Sequence, residues 1–267
     1  MPLAVCATPI GNLEDVTLRV LRELAEADVV LAEDTRHTRG LLERHGIRAR
    51  LLSYHEHNEA KRTAELLPRM QAGERLALVS DAGLPGISDP GARLVAAALE
   101  AGVPVTVLPG ASAVETALVA SGLVGERYQF VGYLPRGERA LGELGEELAR
   151  WQWPVVAFES PQRLPRSLAV LARVIADRPC AVCRELTKRH EEVALGTVAE
   201  LAARFGEPVR GEVTVVLGTA HPAEAPVEEA AGAVAELVEA GVPRRQAAEL
   251  VSRLTGASRN TLYRGSL

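Results

Sequence analysis

The sequence predicts an α/β protein made of two α/β domains, with a ligand cleft between them and a short helical arm after them. Apolar runs that indicate strands alternate with helical patterns, and a Gly-rich joint at 121–126 divides these runs into two sets. This alternation is typical of mainly parallel sheets with helices on both faces. With 267 residues, the chain has the size at which one core usually divides into two.

The predicted strands of the two sets are short and apolar. The first set lies at 3–7, 29–32, 50–54, 76–79 and 103–108, and the second at 129–133, 155–158, 181–183 and 213–217. Helical patterns separate the runs, as with Val16, Val20 and Leu24 after the first. We therefore expect an N-terminal α/β domain at 1–124 and a C-terminal α/β domain at 125–220.

Residues 221–267 are predicted to form a helical arm. A linker rich in Pro and Ala at 220–226 precedes amphipathic patterns at 230–240 and 244–255, whose apolar anchors are Leu250, Val251 and Leu254. Ser258 suits the N-cap of a last short helix. The chain carries a net charge of −5, yet its last stretch, 242–267, has five arginines against Glu249 alone. The arm therefore either contacts a polyanion through its arginines or serves only as a packing tail.

The loop at 80–91 carries the strongest sign of a ligand site. It follows the buried run at 76–79 and precedes a predicted helix at 92–101. Its glycines permit backbone conformations that side chains forbid, and its prolines stiffen the turn. Loops at the carboxyl ends of strands in open α/β sheets are where small ligands usually bind.

Other polar motifs also follow predicted strands. The segment 8–12 follows the first strand, and 109–113 opens a helix whose free N–H groups at Ser112 and Ala113 suit an anionic group. The segment 32–38 places acids and an arginine at a helix start, and 159–163 and 184–192 follow strands of the second set. These motifs are what a site between two domains requires.

Several function classes receive no support from the sequence. No apolar run approaches the ~20 residues that span a bilayer, and 1–7 indicates a first strand rather than a signal peptide. Three cysteines suit a reducing cytoplasm. Cys180 and Cys183 are expected on opposite faces of one strand, and His55 and His57 lack a third ligand, so no metal is expected. Walker and GxGxxG motifs are absent from the sequence.

Taken together, the motifs at 8–12, 32–38, 80–91, 109–113 and 184–192 resemble the ribosomal RNA small subunit methyltransferase I family, and the match runs in order from about residue 3 to 265. This family belongs to the tetrapyrrole methylase-like superfamily, class III of the S-adenosylmethionine-dependent methyltransferases. The resemblance implies a homodimer that binds S-adenosylmethionine between its domains. It also implies 2′-O-methylation of a cytidine ribose in the decoding region of 16S rRNA, with the 30S subunit as partner.

The resemblance implies cofactor contacts from both domains. The expected residues are Pro9, Ile10, Gly11, Asp81, Gly83, Leu84, Pro85, Ile87, Ser112, Ala113, Phe158 and Glu212. The sequence departs from the family where Leu84 replaces the usual Thr, where Ala111 replaces a frequent Pro, and where Phe158 and Gln162 replace common Tyr and His. Since Leu84 removes a hydroxyl beside the expected cofactor, any polar contact there must come from backbone.

Transfer of a methyl group to a weakly acidic hydroxyl needs alignment and help with its proton. The candidates for this role are Asp34, Glu159, Glu185 and Lys188, with Arg36 gripping a phosphate. Lys188 either holds the developing oxyanion or, with a lowered pKa, accepts the proton, while Asp34 orients a cation or acts as base. Asp34 and Arg36 are expected to face Glu159 and Lys188 across the cleft; a salt-bridge network that merely locks the domains is the alternative.

The remaining expectations concern the substrate. Contacts with RNA are predicted for Arg36, Arg39, Arg189, Arg244, Arg245 and Arg259. Two rival functions stay open from sequence: another class III methyltransferase, acting on a tetrapyrrole or in the diphthamide branch, and a non-catalytic factor that binds rRNA during ribosome assembly.

Overall fold

The computed structural model describes residues 2–220, 227–255 and 257–265. Within them, two five-stranded sheets carry helices on their faces. The predicted α/β class with two such units is confirmed. The first sheet contains β1 (Leu3–Cys6), β2 (Val29–Ala32), β3 (Leu51–Ser53), β4 (Leu76–Val79) and β5 (Val105–Leu108), all parallel, in the order β3-β2-β4-β1-β5.

The first sheet is buried on both faces because its central strands are continuously apolar. Leu3 and Val5 of β1 pack with Leu31 and Leu78 on one face, while Ala4 and Cys6 belong to a second core on the other. The helices around it are α1 (Leu18–Glu26), α2 (Thr35–Arg44), α3 (Glu59–Gln71), α4 (Ala92–Glu100) and α5 (Ala113–Ala120). Parallel strands joined by helices require this burial on both sides.

The second sheet differs from the predicted pattern. It contains β6 (Gln129–Tyr133), β7 (Val155–Glu159), β8 (Pro179–Arg184), β9 (Glu192–Thr197) and β10 (Val213–Leu217) in the order β6-β7-β10-β8-β9. β6 and β7 are parallel, whereas β10 runs antiparallel to β7 and β8, and β9 antiparallel to β8. β9 was not predicted, because half of its residues are polar or glycine. The connection at 185–191 is too short for a parallel crossover, so these strands form a hairpin.

Helices α6 (Glu138–Ala149), α7 (Leu164–Ile175) and α8 (Val198–Arg204) accompany the second sheet. Helix α5, which the sequence groups with the first domain, packs against β7 and β10. Its Ala117 and Leu118 share one buried cluster with Val156, Val216 and Ile10 from the β1 loop. The two halves therefore share a core at their junction. The boundary at 124 lies in the connection from α5 to β6 and stays a prediction.

The cysteine expectation is confirmed by the packing of β8. Cys180 is buried in the main core of the second sheet, and Cys183 is buried on the opposite face against α5. Burial raises the pKa of both thiols to about 12. Both cysteines are free, and they serve as small apolar side chains.

The arm forms three helices, α9 (Val227–Glu239), α10 (Arg244–Thr255) and α11 (Arg259–Gly265). They enclose a small core of their own, which includes Val234, Val251 and Leu262. Leu254 was predicted as an anchor but is 83% exposed, because α10 presents its alanines and Val251 to the other two helices. The predicted linker at 221–226 lies outside the described residues. None of the described helices is long and apolar enough to cross a membrane.

Candidate active site in the cleft between the two sheets

A cavity of about 500 Å³ lies between the two sheets. The loops after β1, β4 and β5 form one wall, and the ends of β6, β7, β8 and β10 form the other. Nine residues that the sequence assigned to the cofactor line this cavity: Ile10, Asp81, Gly83, Leu84, Ile87, Ser112, Ala113, Phe158 and Glu212. The predicted motifs thus converge on one space of the size that small ligands occupy.

The three other predicted cofactor residues do not line the cavity. Pro9 is buried between Thr8 and Ile10. Gly11 is pressed against the β8–β9 connection, where a Cβ atom would lie 2.5 Å from Lys188 Cγ. Pro85 lies inside the β4–α4 loop, against Gly91. These residues shape the loops that carry the lining residues.

The β4–α4 loop is held against the first strand's loop by a small bridge. The Thr8 amide donates to Gly83 O at 2.8 Å, the Gly83 amide donates to Thr8 O at 3.1 Å, and the Thr8 hydroxyl donates to Ser80 O at 3.0 Å. Gly83 has a φ of +77°, which glycine adopts without the steric cost that a side chain would bring. This conformation brings Asp81 and Leu84 into the cavity wall.

The sequence missed several lining residues, including Glu33, Asp89, Tyr133 and Thr214. Glu33 and Asp89 belong to motifs that the sequence singled out, so their acidity after a strand was a usable signal. Tyr133 and Thr214 lie on second-sheet strands whose order no local pattern reveals. Tyr133 forms an edge contact with the Phe158 ring, with centroids 5.6 Å apart.

The first-domain wall is acidic. Burial, together with the nearby Glu33 carboxylate, raises the pKa of Asp89 to about 6. Burial and the Asp81 carboxylate also raise the pKa of Glu33. Such a wall suits a cationic group or a hydrogen-bond donor, and the raised pKa of Asp89 matches a proton acceptor that works near neutral pH.

Lys188 is not among the residues that line the cavity, but it is bound to the lining residue Glu212 and so lies at the cavity rim. Its Nζ donates to Glu185 Oε1 at 3.0 Å and to Glu212 Oε2 at 2.7 Å. Burial alone would lower the pKa of Lys188, but the hydrogen bonds to Glu212 and Glu185 outweigh it and raise this pKa above its ordinary value. The suggestion that Lys188 accepts a proton through a lowered pKa is therefore wrong. The group is a cation that can stabilise negative charge.

Glu159 is buried and its oxygens are occupied. Its carboxylate pairs with Arg163, accepts a hydrogen bond from the Ser167 hydroxyl, and accepts one from the Ser160 amide at 2.5 Å. These partners satisfy the hydrogen-bonding capacity of the buried carboxylate. Glu159 lines the cavity, but its contacts fix the start of α7 and leave it poorly placed to take a proton.

Asp34 and Arg36 form a pair of their own. Arg36 Nη2 lies 2.7 Å from Asp34 Oδ2, and the Arg36 side chain is 87% exposed. Hydrogen bonds from Arg36 lower the pKa of Asp34 far below its usual range, which makes Asp34 a weak base. The Asp34 amide in turn donates to Asp81 Oδ1 at 3.1 Å.

The expected pairing across the cleft is thus wrong in its details. Asp34 pairs with Arg36, Glu159 with Arg163, and Lys188 with Glu185 and Glu212, so the ions form three separate networks. In each network the charged groups all come from the same half of the molecule, because partners in that half lie closer than the opposite wall of the cleft. The arginines predicted to contact RNA lie at the surface: Arg36, Arg39, Arg189, Arg245 and Arg259 are exposed, and Arg244 is half-buried.

Comparison with known proteins places these features in a family. The family of tetrapyrrole (corrin/porphyrin) methylases matches residues 2–202. The ribosomal RNA small subunit methyltransferase I of Micromonospora olivasterospora is 45% identical over 98% of this chain and 85% of its own length. The protein of the same name from a Synechocystis strain is 42% identical over 99% of this chain and 97% of its own length.

Among solved structures, the uroporphyrin-III C-methyltransferase of Thermus thermophilus complexed with S-adenyl homocysteine has a similar fold, with a TM-score of 0.58 and 21% identity. The match covers 81% of this chain and 96% of that one. At this identity the likeness concerns the fold. The identity to the curated relatives extends over nearly the whole chain, and the chain therefore belongs to the ribosomal RNA small subunit methyltransferase I family, within the tetrapyrrole methylases.

Proposed function

We propose that this chain binds S-adenosylmethionine in the cleft and methylates the 2′-hydroxyl of a cytidine in the decoding region of 16S rRNA. One observation carries the proposal. Nine of the residues that a family resemblance assigns to the cofactor line a single cavity, although they come from five separate chain segments. The names of the curated relatives support ribosomal RNA as the substrate class. A cytoplasmic location follows from such a substrate.

The residues of the cleft fit this cofactor. Ile10, Leu84 and Phe158 offer apolar surface for an adenine ring, and the N–H groups at the start of α5 suit a carboxylate. Asp81 and its acidic neighbours suit an ammonium group, a ribose hydroxyl or a sulfonium. When bound, the cofactor supplies an electrophilic methyl group on its sulfur. The protein then contributes mainly alignment of that methyl group with the acceptor oxygen.

Two groups on opposite walls divide the proton chemistry. Lys188 remains charged and stabilises the oxygen as it becomes negative during attack. Asp89 accepts the proton, since its pKa of about 6 leaves it ionised but basic at neutral pH. Tyr133 also lines the cavity, and burial first, and then the carboxylates of Asp89 and Glu212, raise the pKa of its phenol.

The substrate is held outside the cleft by cations. Arg36 and Arg39 are exposed on α2, Arg189 is exposed on the β8–β9 connection, and Arg244, Arg245 and Arg259 lie on the arm. Arginine suits phosphate because its planar fork donates two hydrogen bonds. We assign these side chains to the RNA backbone of the 30S subunit, with Arg36 gripping a phosphate near the target nucleotide.

A homodimer belongs to the same proposal. β5 is an edge strand of the first sheet, and Val107 on it is 51% exposed. Val119, Val124 and Tyr128 in the following segment are also exposed. A second copy that covers these apolar side chains would stabilise the assembly. Light scattering of the purified chain should give twice the monomer mass of 28.5 kDa.

Radiolabelled cofactor tests the function directly. The protein is incubated with 30S subunits, naked 16S rRNA or uroporphyrinogen, and the RNA is digested to nucleosides. We expect label in 2′-O-methylcytidine from 30S subunits. Label in the porphyrinoid would favour a tetrapyrrole methylase, and RNA binding without label transfer would favour an assembly factor. Titration calorimetry with the cofactor should show binding; none at millimolar concentration in a folded sample would contradict the cleft assignment.

A further inference from the structure

The β8–β9 connection at 185–191 has an unusual backbone. Among the described residues, three that are not glycine have φ in the left-handed region, and two of them, Glu185 (φ +50°) and Thr187 (φ +65°), lie in this connection. Such conformations cost free energy and persist only where the surrounding contacts impose them. Both residues precede Lys188 in the chain, Thr187 directly and Glu185 by three positions.

Hydrogen bonds fix this connection from three directions. The Glu185 amide donates to Glu212 O at 3.1 Å, and the Glu212 amide donates back to Glu185 Oε1 at 2.9 Å. The Lys188 amide donates to Glu185 O at 3.0 Å. From the first domain, the Asn12 amide donates to Thr187 Oγ1 at 2.9 Å. The position of Lys188 therefore depends on both halves of the molecule.

Two glycines make this arrangement possible. A Cβ atom on Gly211 would overlap the Glu185 carboxyl group, and Gly211 itself has a φ of +90°. A Cβ atom on Gly11 would lie 2.7 Å from Leu186 O and 2.5 Å from Lys188 Cγ. Both contacts involve the residues that carry or support the ammonium group, so the backbone is shaped around it.

We propose that Glu185 is a positioning residue, which holds the Lys188 ammonium group at the cleft rim by binding its Nζ and the Glu212 amide at once. One carboxylate oxygen makes both contacts, at 3.0 Å and 2.9 Å, and this fixes the direction in which Nζ points. Glu212, whose side chain is 69% exposed, completes the support. The inference rests on the proposed function insofar as Lys188 acts on the acceptor oxygen.

Lysine labelling gives a test that does not depend on methyl transfer. Lys61 and Lys188 are the two lysines of the chain, so lysine carrying ¹³C at Cε yields two signals, which Lys188→Arg assigns. We expect the Lys188 signal to titrate at lower pH in Glu185→Ala and in Glu185→Gln than in the unaltered protein. Glu143→Gln is the matched control, because Glu143 binds Arg139 on exposed α6 at 2.8 Å, and it should leave the signal unchanged.

Turnover gives the second measurement. Glu185→Ala should lower kcat at least about tenfold, because a small displacement of a reacting group is costly, with little change in cofactor Kd. Glu185→Gln keeps the acceptor oxygen and should recover part of this loss. An unchanged Lys188 titration in both Glu185 variants would overturn the inference. So would a Glu185→Ala protein that melts earlier yet turns over normally. Absence of methyl transfer by the unaltered protein would instead contradict the proposed function, while the titration would still test Glu185.

Discussion

The two sheets build the two walls of the cleft in different ways. In the first sheet all strands are parallel, so the loops after β1, β2, β4 and β5 meet at one edge. In the second sheet β10 is antiparallel to β7 and β8. Its amino end, with Glu212 and Val213, therefore lies beside the carboxyl ends that carry Phe158 and Cys183. In a parallel sheet, the residues that follow each strand meet at one edge, which can be predicted from the sequence. In a mixed sheet, the residues that meet depend on the order and direction of the strands, which local sequence patterns do not reveal.

The walls also differ in charge. The first presents Glu33, Asp81 and Asp89, with raised pKa values for Glu33 and Asp89. The second presents the Phe158 and Tyr133 rings and two carboxylates, Glu159 and Glu212, which are paired with Arg163 and Lys188. The acids of the first wall can thus face a positively charged methyl donor, while the cation beside the second wall can face an acceptor that becomes negative.

The shared core at the junction should make the two halves unfold together. Leu164 is fully buried in the second-sheet core, so Leu164→Ala should lower the free energy of unfolding by ~3 kcal/mol through lost burial and a new cavity. Calorimetry should show one transition that moves to lower temperature, because α5 joins both sheets. Leu254→Ala, at an 83% exposed position, is the control and should change little. Two separate transitions would show that the halves are independent.

Loss of the Lys188 ammonium group should lower kcat rather than weaken cofactor binding. Lys188→Ala should reduce kcat about 100-fold, the usual effect of removing one group that stabilises an oxyanion. The cofactor Kd, measured by calorimetry, should stay within about twofold. Lys61→Ala, on exposed α3, removes the other lysine and should leave both values unchanged. A Lys188→Ala protein that turns over normally but melts earlier would place Lys188 in a purely structural network.

The acidic wall should set the pH dependence of turnover. Because the pKa of Asp89 is raised from 3.8 to about 6, kcat should fall as the pH drops through about 6 and Asp89 becomes protonated. Asp89→Asn should lower kcat about 100-fold at neutral pH and flatten this acid limb, because proton acceptance by a positioned side chain typically contributes about 10²–10⁴-fold. If kcat of the Asp89→Asn variant still falls as the pH drops through about 6, the proton acceptor is another group. Rates measured from pH 5 to 8 decide between these outcomes.

The arm should influence RNA affinity alone. Deletion of 222–267 should leave the cofactor Kd unchanged, since α9, α10 and α11 enclose a core of their own and line no part of the cleft in the described residues. Binding to 30S subunits should weaken several-fold and become less dependent on salt, because phosphate contacts release counterions. If the affinity for 30S subunits at moderate salt is unchanged, the arm serves only as a packing tail. Arg245→Ala with Arg259→Ala repeats the test without truncation.

Local patterns determined much of this protein. Continuous apolar runs predicted β1, β2 and β4, since a strand of a parallel sheet that is buried on both faces needs apolar side chains at every position. Glycines and polar residues after those runs predicted the loops at 8–12, 80–91 and 109–113, because backbone freedom and side-chain chemistry are properties of the residues themselves. Nine of the twelve cofactor residues that the family resemblance implies line the cavity, and seven of these nine lie in the three loops.

The charged pairs of the site combine local and distant contacts. Asp34 pairs with Arg36, Glu159 with Arg163 and Lys188 with Glu185, all within four residues along the chain, so their spacing was a usable signal. The contact of Lys188 with Glu212, which is 24 residues away, and the burial of Glu159 depend on the tertiary structure. Strand order in the second sheet and the packing of α5 against it are likewise set by long-range burial. The sequence determined which chemical groups are available, and the fold determined their charge and direction, because pKa values and orientations depend on neighbours that are remote along the chain.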